Sequence, residues 1–249
     1  MSETPVVHME SIVKRFGTVT ALDNVDLTVG RQQVMALVGD NGAGKSTLIK
    51  ILTGIYMPTS GQIYFEGQPV QIRSPQEARA LGIETVYQDL ALVNQMSIAR
   101  NFFLGREPVR QIGPVHWLDM RKMNDQTYLS LRDIGIEIRS PVEKVGKLSG
   151  GERQSIAIGR ALFFGARLLI LDEPTSALSV AETHKVLTYT LNAKERGLSV
   201  IFITHNIHHV YQVADAYTII RHGKRVGTYT KAELTPDDIA ALITGEREY

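Results

Sequence analysis

One short stretch of this 249-residue chain has the residue types and spacing to grip a polyphosphate. Gly39-Asp40-Asn41-Gly42-Ala43-Gly44-Lys45-Ser46 fits the pattern G-x-x-x-x-G-K-[ST], between an apolar run and a helical segment, Thr47 to Thr53. Its glycines let the backbone wrap phosphates with N–H groups pointing inward, and the helix N-terminus adds partial positive charge. Lys45 would reach the β and γ phosphates, and Ser46 would hold Mg²⁺ through its hydroxyl, because that ion takes a few oxygen ligands together with phosphate and water. An Mg²⁺·nucleotide site also needs an acidic partner. Asp172-Glu173 supplies one directly after the apolar run Leu168 to Leu171.

These residues need elements to place them. Val34 to Val38, Leu168 to Leu171 and Val200 to Ile203 read as buried strands, each ending in polar residues: the Gly-rich loop, Asp172, and Thr204-His205. In open parallel sheets, ligands gather beyond the carboxyl ends of strands. Apolar runs alternating with helical segments predict an α/β fold with a largely parallel sheet. Val6 to Phe16 and Val19 to Val29 alternate around Phe16-Gly17-Thr18 as an antiparallel pair, and a further strand, Gln62 to Glu66, follows the turn Pro58 to Gly61. From Gln88 to Ser149 the strand signal fades. There Ser97 would cap a helix from Ile98 to Leu104, and Asp119 one from Met120 to Ile134. The expected organisation is one domain, with 1–88 and 161–249 forming the α/β core with its antiparallel β subdomain, and about 89–160 an inserted α-helical subdomain. Gly165 closes the helix begun at Ser149, and Gly197 closes Val180 to Arg196. Ala216 to Thr230 alternates again, and Pro236 opens a last helix.

Composition narrows the function classes. The 27 Lys+Arg nearly balance 26 Asp+Glu, so there is no basic surplus of the kind that neutralises nucleic-acid phosphates, and no nucleic-acid partner is expected. The absence of cysteine excludes a disulfide framework and a thiolate nucleophile. Apolar runs are strand-length, far short of the ~20 residues of a membrane span, and Met1 to Val7 carries no secretory signal pattern. With 43% hydrophobic residues, the expectation is a soluble cytoplasmic protein with an ample core.

Leu168 to Leu171 with Asp172-Glu173 resembles the Walker B element of P-loop ATPases, which implies that Asp172 binds Mg²⁺ and that Glu173 orients or deprotonates an attacking water. With Leu148-Ser149-Gly150-Gly151-Glu152, the set resembles the signature of the ATP-binding-cassette (ABC) ATPases, over nearly the whole chain from Val6 to about Thr230. The resemblance implies that two cassettes meet head to tail, each ATP lying between the phosphate loop of one and the signature of the other. Ser149, Gly150, Gly151 and Glu152 then bind the partner's nucleotide. Phe16 matches the aromatic that stacks on adenine. Gln88 matches the glutamine that reaches Mg²⁺ and the attacking water, and His205 the histidine that touches the γ-phosphate and Glu173. His208 and His209 read as helix-surface residues rather than metal ligands.

Two positions depart from the family pattern. Glu152 stands where glutamine is common, putting an acid near a bound polyphosphate. Ser179 replaces the usual Asp in the loop that links the two sites, so altered coupling with surviving hydrolysis is expected.

Within the family, Ile49 to Tyr56, Ser74-Pro75, Val86 to Leu92 and Asn101 to Glu107 look like the branch serving bacterial monosaccharide importers. One phosphate loop and one signature resemble its single-cassette members, with fructose or ribose as candidate cargo. This implies a homodimer, peripheral on the cytoplasmic side of the cell membrane, on an integral permease and indirectly served by an external sugar-binding protein. Phe102, Phe103 and Leu104 are not expected all to face one core, so an exposed docking patch is expected there. A soluble cassette ATPase of translation or DNA repair, and an exporter cassette, are the alternatives. The former usually carries paired cassettes or long coiled-coil inserts, and the latter is often fused to membrane helices.

Overall fold

The computed structural model describes residues 4–87, 92–176 and 178–246. The opening runs form β1 (Val7–Phe16) and β2 (Val19–Val29), antiparallel and turned at Gly17. The chain enters β3 (Val34–Val38), crosses the phosphate loop into α1 (Lys45–Leu52), and adds β4 (Ser60–Phe65) and β5 (Gln68–Val70) to the first sheet. Ser74 caps α2 (Pro75–Ala80), whose proline occupies the first turn, where its missing N–H costs nothing. β6 (Ile83–Val86) follows.

Next come α3 (Ile98–Phe102), the hairpin β7 (Val109–Ile112) and β8 (Val115–Leu118), α4 (Met120–Asp133) and α5 (Gly150–Phe163). Ser97 and Asp119 do cap α3 and α4, accepting from the N–H groups of Arg100 and Lys122. The chain then returns through β9 (Leu168–Asp172), α6 (Val180–Glu195), β10 (Ser199–Ile203), α7 (Ile207–Val213), β11 (Ala216–Arg221), β12 (Lys224–Thr230) and α8 (Pro236–Thr244).

Sheet order explains why the polar strand ends meet. The six-stranded sheet runs β12-β11-β3-β10-β9-β6, all parallel except β12. β10 lies between β3 and β9, with Ile203 level with both Leu37 and Asp172. The strands are buried on both faces, and their alternation divides two cores. Met35, Leu37, Ile170 and Ile201 face the antiparallel sheet, whereas Val34, Ala36, Leu169 and Phe202 face the core that includes α6, α7 and α8. Apart from Ala36, each such fully buried side chain contributes about 1.5–3 kcal/mol by leaving water.

A third core joins Ile98, Phe102, Phe103, Met123, Leu131, Val145 and Ile156. α5 serves both sides, sending Ile156 into this core and Ala157, Ile158 and Ala161 into that of the large sheet. Here two expectations fail. Phe102 and Phe103 are 0% and 3% exposed, because α3 ends at Phe102 and Phe163 and Phe164 of the α5 terminus supply a second aromatic wall. Only Leu104 of that trio is exposed. The segment also holds a strand pair where only helices were expected. β7 and β8 fold about Gly113-Pro114, and Val109 to Gln111 and Val115 to Leu118 are all exposed, so the pair lacks the buried apolar face that signals a half-buried strand.

Candidate active site

The phosphate loop is built around backbone that only glycine fits. Gly39, at φ +153, sits so close to the Ile220 carbonyl that a Cβ there would collide with it. Gly44, left-handed at φ +110, caps α1, and a Cβ there would lie 2.8 Å from Leu22. Lys45 is almost covered, and its Nζ donates to the carbonyls of Gly39 (2.6 Å) and Asp40 (2.9 Å). Burial pulls the Lys45 ammonium below the ordinary lysine range, opposed by Glu173, Asp40 and Asp172. The lysine is therefore tied to its own loop at the point where phosphate oxygens would compete for it.

At the end of β9, burial pushes the Asp172 carboxyl above its ordinary range, and neighbouring Glu173 adds to this. Glu173 takes the left-handed conformation at φ +49, a strained setting for a residue with a Cβ, costing roughly 1–3 kcal/mol. The surroundings over-determine it. Its N–H donates to the Ile203 carbonyl (2.9 Å), and its carboxylate accepts from Thr204 Oγ1 (3.1 Å) and the His205 N–H (3.1 Å). His205 Nδ1 lies 2.9 Å from the same carboxylate. The imidazole itself is largely exposed, and the carboxylate is not.

Lys45, Asp172 and Glu173 converge on a cleft of about 500 Å³, whereas His205 does not line it and borders a neighbouring recess with Asn206 and His208. Asn41, Gly42, Ala43, Gly44, Lys45, Ser46 and Thr47 line the cleft together with Asp172 and Glu173. Gly39 and Asp40 stand behind it as the acceptors of Lys45. Ser46 and Asp172 both offer hard oxygen donors to the cleft, and the half-buried carboxylate of Asp172 would gain from a cation's charge, so the donor set fits Mg²⁺. Phe16, at the tip of the β1–β2 hairpin, pairs with Val19, which lines the cleft. It stands exposed, edge-on to Tyr56 with ring centroids 5.2 Å apart.

His222 and Gly223 also line the cleft and were missed in the sequence. They turn β11 into β12 with both residues at positive φ, and the Gly223 N–H donates to the Ala43 carbonyl. The only local signal was a His-Gly pair between two alternating runs. His209 is not the plain surface residue expected: its Nδ1 lies 3.1 Å from Thr175 Oγ1, in the loop after Glu173, and burial lowers its pKa. Gln88 lies outside the described residues.

The signature residues are elsewhere. Ser149, Gly151 and Glu152 line a separate recess with Glu182 of α6, and none of the four signature residues borders the phosphate cleft. Ser149 caps α5, and Glu152 completes a capping box by accepting from the Ser149 N–H at 2.8 Å. The acid at this departure from the family pattern is thus turned back on its own helix. Ser179, the other departure, caps α6 in a second box with Glu182.

A sequence profile described as ABC transporter matches residues 22–176. The chain belongs to this family. It is similar to the fructose import ATP-binding protein FrcA of Rhizobium meliloti, at 44% identity over 100% of this chain and 97% of that protein. The xylose/arabinose import ATP-binding protein XylG of Sulfolobus acidocaldarius is 44% identical over 96% of this chain and 94% of its own length. The ribose import ATP-binding protein RbsA of Caldanaerobacter subterraneus subsp. tengcongensis is 39% identical over 97% of this chain, which spans 48% of that protein. Among solved structures, the ADP conformation of an ATP-binding cassette of an ABC transporter superimposes with a TM-score of 0.82 at 25% identity, covering 96% and 95% of the two chains. This ABC cassette thus combines a P-loop α/β core with an antiparallel β subdomain and a helical insert.

Proposed function

We propose that this ABC cassette is the ATP-hydrolysing subunit of an importer that carries a monosaccharide, such as fructose or ribose, through a separate membrane permease. The observation that carries the hydrolytic half is the Glu173 carboxylate, locked by Thr204 and His205 beside the phosphate loop. The sugar half draws on the relatives, which are named for fructose, xylose/arabinose and ribose import and align with this chain nearly end to end.

Loop N–H groups would cradle the phosphates of ATP while Lys45 transfers its hydrogen bonds from its own loop carbonyls to phosphate oxygens. Ser46 and Asp172, with Gln88, would hold Mg²⁺, which when bound neutralises charge on the phosphates. Glu173 aligns the attacking water and takes its proton, His205 steadies that carboxylate and faces the γ-phosphate, and Phe16 stacks on adenine. Ser149, Gly150, Gly151 and Glu152 of a second copy complete the site, giving a head-to-tail homodimer. Separation of the signature from the phosphate cleft within one chain favours this arrangement.

A second cleft, of about 550 Å³, opens between β6 and the helical segment. Arg106 is fixed there by Glu84 (2.6 Å) and lies 4.6 Å over the Phe164 ring, with Tyr87 and exposed Leu104 at the rim. Among the described residues no helix is long and apolar enough to cross a membrane. The cleft is our candidate for receiving the permease, a reading in which the chain sits peripherally on the cytoplasmic face of the membrane. Affinity purification of the tagged chain from gently solubilised native membranes tests the reading. Recovery of a multi-span permease, with ATPase stimulated by one sugar and its binding protein, is expected; recovery of soluble partners or ribosomes alone would overturn it.

A further inference from the structure

The carboxylate of Glu182, on the first turn of α6, holds two helix N-termini at once. One oxygen accepts from the Gly151 N–H of α5 at 3.2 Å; the other accepts from the Ser179 N–H at 3.1 Å and the Ser179 hydroxyl at 2.9 Å. These contacts hold the carboxyl well below the usual glutamate range, at about 2. Both signature glycines make room for this junction. A Cβ on Gly151 would stand 2.9 Å from the Glu182 side chain, and one on Gly150 would stand 2.8 Å from Leu178. The pair therefore has an in-chain packing role as well as any approach to phosphate. The loop that ends at Ser179 begins at Glu173, whose carbonyl accepts the Ser176 hydroxyl at 2.8 Å.

We propose that Glu182 is a positioning residue for ATP hydrolysis, tying the signature turn at Ser149–Gly151 to the loop that carries Glu173. This rests on the roles assigned above to Glu173 and to the signature. In a head-to-tail pair those two features serve different nucleotides, and Glu182 joins the signature turn to Ser179, the far end of the loop from Glu173. The link runs from Gly151 through Glu182 to Ser179, the position at which this chain departs from the usual Asp. An Asp there would bring a second carboxylate against Glu182, and the serine instead donates to it.

The test uses the full chain and compares Glu182→Ala, Glu182→Gln and Glu182→Asp with a Glu173→Gln control. Steady-state ATP hydrolysis is measured against ATP concentration, and Mg·ADP binding by direct titration. Mg·ADP reports the phosphate loop alone. The expected result is a fall in kcat of about tenfold for Glu182→Ala and about threefold for Glu182→Gln, as hydrogen bonds to a charged group are lost. Mg·ADP affinity stays within about twofold, and Glu182→Asp recovers part of the rate. Wild-type kcat in both Glu182→Ala and Glu182→Gln, or an equal loss of Mg·ADP affinity signalling general unfolding, would overturn the proposal. If Glu173→Gln hydrolyses ATP at the wild-type rate, the active-site reading itself fails, an outcome distinct from failure of Glu182 alone.

Discussion

Under the proposed function, the phosphate cleft and the signature region handle the same problem, placing polar groups for an anion, by opposite means. The cleft is made of backbone: glycines that admit no Cβ, strand ends locked in parallel register, and a glutamate held in a left-handed conformation. The signature turn is made of side-chain caps at a helix start, with Ser149, Glu152 and Glu182 satisfying N–H groups near the surface. Buried backbone geometry has no cheap alternative state, whereas exposed caps exchange readily with water. The rigid half suits a site that must hold ATP by itself. The capped half suits one that acts on a partner's nucleotide and then lets go.

That contrast can be broken at graded cost. Phe102→Ala empties the aromatic cluster with Phe163 and Phe164 beneath the helical segment, and should cost about 3–5 kcal/mol in thermal or denaturant unfolding. Exposed Trp117→Ala in the β7–β8 hairpin should stay within about 0.5 kcal/mol. If the two substitutions cost the same, the helical segment lacks the core described. Phe16→Ala should weaken ATP binding by about 1–3 kcal/mol, measured calorimetrically, while leaving the melting temperature close to wild type. A loss of stability instead would mark Phe16 as a packing residue against Tyr56.

The smallest effect concerns pH. The Glu182 carboxyl lies at about 2 in the folded chain against 4.5 ordinarily, chiefly through the Ser179 and Gly151 N–H groups. A depressed carboxyl contributes stability above the ordinary value and loses it as pH falls through the folded value. Wild type should therefore melt above Glu182→Gln at pH 6, and the two melting curves should converge as pH falls from about 4.5 towards 2. A gap constant with pH would show that the carboxylate charge contributes nothing there.

The rigid half was also the legible half. Buried parallel strands read as uninterrupted apolar runs, so Val34 to Val38, Leu168 to Leu171 and Val200 to Ile203 were visible with their polar ends. Lys45 and Ser46 then follow from the spacing of the phosphate loop, Asp172 and Glu173 from the resemblance to a Walker B element, and the structure brings all four to one cleft. The helical half was harder for a physical reason. Phe102 and Phe103 are buried by Phe163 and Phe164, some sixty residues away, and no local period reveals that wall. Val109 to Gln111 and Val115 to Leu118 of the β7–β8 hairpin are all exposed, so the buried apolar face that marks strands is missing there. Glu182 had a local signal, since Ser179-Val180-Ala181-Glu182 matches a capping box, but its bond to Gly151 is tertiary.

If Glu173 does the hydrolytic work in a site otherwise competent to bind ATP, Glu173→Gln separates the two functions. Single-turnover hydrolysis and ATP binding should be measured on the same preparation. The expected result is retained ATP binding, accumulation of an ATP-bound dimer, and turnover reduced at least ~100-fold. Turnover within twofold of wild type, at about unchanged ATP affinity, would contradict that role of Glu173.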